Sequence, residues 1–156
     1  MKWNANPADT KKQARETIKT FCSLSQSDLP QLKLKIHKDL ISETMAGDHP
    51  LAVFEKLTSL SSHSDPWIAS SAQTFSQGSP TSAHLTFEQL GRAKTLTLKQ
   101  CFAMEYNIAI RCCYGHDFYE GVRARLIDKD LKPNWMPKDV TQVKADLIES
   151  YFQPLN

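Results

Sequence analysis

Glycine is scarce in this chain, at five residues in 156, and runs that strictly alternate apolar with polar are almost absent. That scarcity excludes β-sandwiches and barrels, which need many short alternating strands separated by glycine-rich turns. No GxSxG elbow, phosphate-cradling glycine loop or dinucleotide fingerprint occurs, so the familiar nucleophilic and nucleotide-binding chemistries have no foothold. No apolar run approaches the roughly 20 residues that a membrane-spanning helix requires. A one-sided basic surplus is missing too: 19 Lys and Arg are interspersed with 17 Asp and Glu, which argues against a nucleic-acid partner. The opening "MKWNANPADTKKQARE" has no apolar core of signal-peptide length, so secretion is not expected.

Four cysteines are present, Cys22, Cys101, Cys112 and Cys113, with a vicinal pair and no CxxC. This fits neither a zinc ribbon nor a disulfide framework. The expectation is reduced, mostly buried thiols in a reducing compartment. Histidines 37, 49, 63 and 84 are far apart in sequence and lack an i,i+4 partner, so no metal site is expected.

Spacings of three and four residues recur throughout, and they predict an all-α fold: a compact array of about six to eight helices in a single domain spanning residues 1–156. "NPADTKKQARETIKTFCSL" can begin at an Asp9 or Thr10 cap and places Ala14, Ile18, Phe21 and Cys22 on one side. Leu32, Ile36, Leu40 and Ile41 continue a helical stripe up to Gly47, although "LKLKI" alternates briefly and admits a short strand. Pro50, Pro66 and Pro80 sit at first-turn positions, the latter two behind capping residues at 64–65 and at Ser79. The segment after Thr97 carries a capping-box pair, Thr97 with Gln100. It has a broad apolar face of Leu98, Cys101, Phe102, Ala109, Cys112 and Cys113, and Gly115 as a left-handed exit. Asp117, with Glu120 three positions on, reads as the cap of a helix running through Val122, Leu126 and Ile127, and "VKADLIESYF" supplies a final helix.

Titratable groups that could do chemistry are few. Glu105 lies within the apolar stripe and reads as a buried carboxylate paired with Arg111 or Arg123, against a catalytic role. His116 beside Asp117 could form a proton-transfer pair, but a turn histidine more simply holds a backbone group. No catalytic residue is assigned.

The stretch from Ser79 to Pro137 is the most tightly specified part of the chain: Ser79-Pro80, Met104-Glu105-Tyr106, "HDFYEGVRA" and "LIDKD", followed by Pro133 and Trp135. It resembles the carboxyl-terminal part of the 3-hydroxyisobutyryl-CoA hydrolases, within the crotonase (enoyl-CoA hydratase/isomerase) superfamily. The match continues weakly upstream to about Leu32, and residues 1–30 form a loosely matched amino-terminal helix.

The resemblance implies a helical region that works against a separate amino-terminal spiral of strands and helices. That spiral holds the glycine-rich oxyanion hole and the catalytic carboxylates, none of which maps onto this chain. Phe118 is then expected to anchor its helix and border the pantetheine channel. Lys129, with Lys132 as a nearby substitute, stands at the motif position where the resemblance implies a cation near the CoA phosphates, although within this isolated chain a solvated surface role is the expectation for both. Gly121 reads as a close-approach residue and Trp135 as a packing anchor. The implied function is acyl-CoA thioester hydrolysis in valine and branched-chain breakdown, performed only with the amino-terminal core in the same or a separate chain. Acyl-CoA would be a contact and no cofactor is implied. The expected compartment is the mitochondrial matrix in a eukaryote and the cytoplasm in a bacterium. The alternative is a non-catalytic helical module that self-associates or binds a partner through exposed apolar residues.

Overall fold

Proline and capping residues set where the helices begin. The structure, a computed structural model, describes residues 6–25 and 30–155. Nine α-helices and no strand occur among these residues: α1 (Pro7–Leu24), α2 (Lys33–Ile36), α3 (Lys38–Met45), α4 (Pro50–Ser59), α5 (Pro66–Ser76), α6 (Pro80–Ala93), α7 (Leu98–Tyr114), α8 (His116–Val122) and α9 (Ala145–Phe152). The all-α expectation is borne out. "LKLKI" forms α2 and not a strand, and a break at His37 divides the expected single helix into α2 and α3.

Two compact units are distinguished, Met1–Ile41 and Ser42–Asn156. In the first, α1 is capped by Asn6, whose Oδ1 accepts a hydrogen bond from Ala8 N at 3.1 Å. The expected cap at Asp9 or Thr10 is therefore displaced upstream. Pro7 lacks the N–H that a first-turn position leaves unpaired anyway, so it takes that place and fixes the start. No residue of α1 is buried.

The second unit is built from two apolar clusters on α6. On one side Phe54 of α4 meets Phe75 of α5 (centroids 5.4 Å), His84 (5.0 Å, edge-on) and Phe87 (6.2 Å, edge-on). Such tilted and edge-on contacts favour the positive ring edge over the negative ring face. On the other side Leu85, Ile108 and Ile148 from α6, α7 and α9 are buried together, with Met104, Cys112, Val143, Tyr151 and Phe152 around them. Arg92 of α6 completes this side: it pairs with Glu88 and with Glu149 of α9, and its guanidinium lies 4.0 Å from the Phe152 ring centroid. Its pKa is raised, first by the bond to Glu149.

The expected caps at Asp65 and Ser79 are present, accepting from Trp67 N (2.8 Å) and Ser82 N (3.1 Å). The Thr97–Gln100 capping box is complete, with Thr97 N donating to Gln100 Oε1 at 2.8 Å and Gln100 N to Thr97 Oγ1 at 3.4 Å. α6 ends at Ala93, two residues past Gly91.

The apolar face expected for α7 turns out to be two faces. Met104, Ile108 and Cys112 turn inward to the cluster with Leu85 of α6 and Ile148 of α9, and Cys101 is half-buried. Leu98 (72 % exposed), Phe102 (62 %) and Tyr106 (62 %) face outward with Ala109 and Cys113. This outer stripe is about 22 Å long at 1.5 Å per residue and carries no charge. The thiols accordingly depart from the expectation: Cys22 and Cys113 are exposed, Cys101 and Cys112 half-buried, and all four are free. Periodicity alone shows that a helix is apolar over a wide arc, and it cannot tell which part of that arc finds a neighbour within the chain.

Candidate functional site

The segment from Gly115 to Pro137 folds around three polar residues. Gly115 ends α7 at φ −81°, ψ 153°, an extended exit where a left-handed one was expected. Its requirement is steric: a Cβ here would lie 3.0 Å from the Tyr151 hydroxyl. α8 then begins without a side-chain cap, so Asp117 is not the cap that its position suggests. Its carboxylate instead joins three segments. Ser79 Oγ donates to Oδ2 at 2.5 Å, Met136 N donates to Oδ1 at 2.9 Å, and His116 Nδ1 lies 3.0 Å from Oδ1. The Asp117 side chain is 12 % exposed, so these donors replace the water it has lost.

Glu120, one turn on, faces the closing loop. Its two oxygens receive Arg123 Nη2 (2.7 Å) and Nε (3.0 Å) in a forked pair, and Oε1 also accepts from Asn134 N at 2.6 Å. Arg123 and then the Asn134 amide hold its carboxyl well below the usual range, at about 2. The guanidinium goes further. Nη1 donates to Asp128 Oδ2 and Asp130 Oδ2, both at 2.7 Å, and Nη2 donates to Lys132 O at 3.1 Å. A guanidinium has five N–H donors, and all five are engaged. Its pKa is raised, first by Glu120, and that of Asp130 is lowered, first by Arg123.

To bring Asp128 and Asp130 back to Arg123 the chain makes one π-turn over Arg123–Ile127 and then places Lys129 and Leu131 at φ 56°. Left-handed backbone is unfavourable for side-chain-bearing residues. The bonds Asp128 N to Arg123 O (2.8 Å), Leu131 N to Ala124 O (3.1 Å) and Lys132 N to Asp130 Oδ1 (2.8 Å) hold it in place. Trp135 closes the segment: its Nε1 donates to Gln77 O at 2.9 Å, and its ring lies where a Cβ on Gly121 would be 3.3 Å away. The expected roles of Gly121 and Trp135 are thus observed.

Phe118 is 50 % exposed and lines an open cavity of about 530 Å³ with Leu126, Trp135, Tyr151, Cys112 and Arg125. Burial pushes the Cys112 thiol and the Tyr151 phenol upward in pKa. Lys129 and Lys132 are exposed and do not line that cavity; the cation that does is Arg125, which sequence reasoning did not single out. Glu105 is exposed and accepts from Gln89 Nε2 at 3.0 Å, so the expected buried pairing with an arginine is not formed. A second cavity of about 650 Å³ lies among Met45, Phe54, Leu57, Phe75, Phe87 and Leu90.

Sequence reasoning offered Arg123 only as a partner for Glu105 and missed its role at Glu120, Asp128 and Asp130. The Glu120–Arg123 spacing of three residues is a readable helical ion pair. The reach of Asp128 and Asp130 depends on two left-handed residues that nothing in "DKDL" announces.

Comparison with known proteins accords with this picture. The family model described as enoyl-CoA hydratase/isomerase matches residues 2–152. Among curated relatives, the mitochondrial 3-hydroxyisobutyryl-CoA hydrolase of Gallus gallus is 40 % identical over 119 residues, covering 76 % of this chain and 30 % of that protein. The Bos taurus protein of the same name is 31 % identical over 147 residues, covering 94 % of this chain and 37 % of its own length. Two solved structures superpose with TM-score 0.69. A carnitinyl-CoA dehydratase from Mycobacterium thermoresistibile is 27 % identical and covers 82 % of this chain and 36 % of its own. An enoyl-CoA hydratase from Rhodobacter sphaeroides is 26 % identical and covers 91 % and 43 %. The chain spans about a third of the length of the curated relatives that it matches. With the signature segment folded as a single hydrogen-bonded unit and the family model matched over nearly the whole sequence, this chain belongs to the enoyl-CoA hydratase/isomerase family.

Proposed function

We propose that this chain is the carboxyl-terminal helical part of a 3-hydroxyisobutyryl-CoA hydrolase-like protein and takes part in acyl-CoA thioester hydrolysis only together with an amino-terminal core. The observation that carries this is the match to hydrolases of that name over 76 % of this chain and 30 % of theirs, with no strand among the described residues. Thioester hydrolysis needs preorganised donors at the carbonyl oxygen, and the resemblance assigns those to the strand-rich core. The chain's own contribution is a scaffold: α8 and the loop after it, fixed through Asp117, Glu120 and Arg123, present Phe118 and Lys129 towards the bound acyl-CoA. The uncharged outer stripe of α7, with three large apolar side chains more than 60 % exposed, supports a surface made for another part of the protein.

The two curated hydrolases named above are mitochondrial, and in a eukaryotic host the same compartment is proposed, with the cytoplasm its bacterial counterpart. No described helix is long and apolar enough to cross a membrane.

The test is to express the chain and a family amino-terminal core separately, mix them, and assay hydrolysis of 3-hydroxyisobutyryl-CoA. Complex formation with activity is expected. A chain that neither binds the core nor raises its activity overturns the proposal. The same stripe also fits a stand-alone assembly module, which light scattering would reveal as a self-associated chain indifferent to the core.

A further inference from the structure

Ile148 is the one buried residue of α9. Tyr151 and Phe152 are half-buried against Leu85 and Ile108, and the rest of the helix is exposed. α9 starts without a side-chain cap, and residues 128–144 before it contain no α-helix, only the 3-10 turn Val140–Gln142. A helix of eight residues is too short to be stable alone, so its attachments decide whether it stays formed.

Those attachments lie towards its far end and are made by two arginines. Arg92 of α6 pairs with Glu149 and lies over the Phe152 ring. Arg111 of α7 donates from Nη2 to the carbonyls of Gln153 (3.2 Å) and Pro154 (3.0 Å), just past the helix. The Glu149 side chain is 51 % exposed, so its bond to Arg92 is open to screening by salt. Upstream, His84 Nε2 meets Val140 O at 2.8 Å, which anchors the chain shortly before α9 and leaves residues 143–144 as the pivot. Tyr151 lines the 530 Å³ cavity with Phe118, Trp135 and Cys112, and its hydroxyl lies 3.0 Å from where a Cβ on Gly115 would stand.

We propose that α9 is a strap: it lifts from α6 and α7 as one unit while those two helices stay folded, and in lifting it carries Tyr151 off the cavity of Phe118 and Trp135. Arg92 and Arg111 set how often it lifts. With one buried side chain and fastenings gathered at one end, α9 has no second hold that would keep part of it in place once the first is lost. The strap does not depend on which ligand the cavity takes.

Native-state hydrogen exchange on the complete chain tests this, in native protein and Glu149→Gln, at low salt and at about 1 M salt, where the Debye length is about 3 Å. The amides of Glu149, Ser150, Tyr151 and Phe152 should share one protection factor, lower than those of Leu85 and Ile108. Glu149→Gln, or salt on native protein, should lower that shared value about fivefold, the upper scale of one exposed ion pair, and leave Leu85 and Ile108 unchanged. Protection that rises steadily from Phe152 back to Glu149 would mean fraying from the end and overturns the unit. An equal loss at Leu85 and Ile108 would mean that α9 opens only with the whole fold, and overturns it too. The salt arm needs no substitution, so it decides even where Glu149→Gln does not fold.

The movement of Tyr151 is read at Cys112, made the sole thiol by Cys22→Ser, Cys101→Ser and Cys113→Ser. Its alkylation by iodoacetamide should accelerate with salt about as much as α9 exchange does. A rate flat in salt while α9 exchange rises would mean that the helix opens without uncovering this wall of the cavity, and overturns that part of the proposal.

Discussion

Ser79 and Asp117 are joined by a 2.5 Å hydrogen bond across 38 residues of sequence. The same Ser79 hydroxyl accepts from Ser82 N and so caps α6. One oxygen thus starts a helix and anchors the signature segment to it. Ser79→Ala removes both bonds and leaves the nearly buried Asp117 carboxylate with two donors in place of three. A cap contributes about 1 kcal/mol and a lost bond to a buried charged acceptor about 1–3 kcal/mol. A loss of about 2–3 kcal/mol is expected in urea denaturation, with Ser79→Thr, which can restore both bonds, well below that.

Glu120 gives the molecule a defined acid response. Its carboxyl titrates at about 2 when folded, held there by Arg123 and the Asn134 amide, and at its ordinary value of 4.5 when released. A depressed folded pKa means that the unfolded chain binds the proton first as pH falls. The stabilisation is complete above about 4.5 and is lost progressively between 4.5 and about 2. Glu120→Gln should therefore lower the melting temperature at neutral pH. The gap from native protein should narrow through that acidic window, which scanning calorimetry from pH 7 to pH 2 would follow. A gap that stays constant would show that Glu120 contributes through packing and not through charge.

How far the sequence revealed this arrangement depended on whether the determining contact was local. The Thr97–Gln100 box, the prolines at helix starts and the close approach at Gly121 were all legible, because each rests on residues a few positions apart or on one missing side chain. Asp117 was misread as a cap because a capping motif and a long-range tie place the same residue type at a helix start; only the position of Ser79, on another helix, distinguishes them. Arg123 was assigned to the wrong carboxylate, Glu105, because its four partner residues converge only after a π-turn and two left-handed residues. For the outer stripe of α7, exposure is a property of what does or does not pack there, which no spacing rule encodes.

Gly121 and Trp135 should show non-additivity. Glycine within a helix costs about 1 kcal/mol relative to alanine, so Gly121→Ala would ordinarily stabilise α8. Here the added methyl would meet Trp135 Cη2 at 3.3 Å, a ring tethered through Nε1 to Gln77 O. The helical gain should therefore be largely cancelled in native protein and emerge in a Trp135→Ala background. A double-mutant cycle with a coupling of about 1 kcal/mol is expected, and additive effects would mean that the ring moves aside freely.

Ile148 and Phe102 test the difference between a filled face and an open one. Ile148 is 7 % exposed in the cluster with Leu85 and Ile108, and truncating such a side chain to alanine typically costs about 2–5 kcal/mol through lost transfer energy and the cavity left behind. Phe102 is 62 % exposed, so Phe102→Ser should change the stability of this chain by no more than about 0.5 kcal/mol. Its effect belongs to the assembly. If the outer stripe meets an amino-terminal core, Phe102→Ser with Tyr106→Ser should leave the melting temperature unmoved and weaken association with that core at least tenfold in a binding titration, since anchoring aromatics often carry more than 1 kcal/mol each at interfaces. Undiminished association would place the docking surface elsewhere on the helices. A collapse in stability would mean that the stripe is packed within the chain after all.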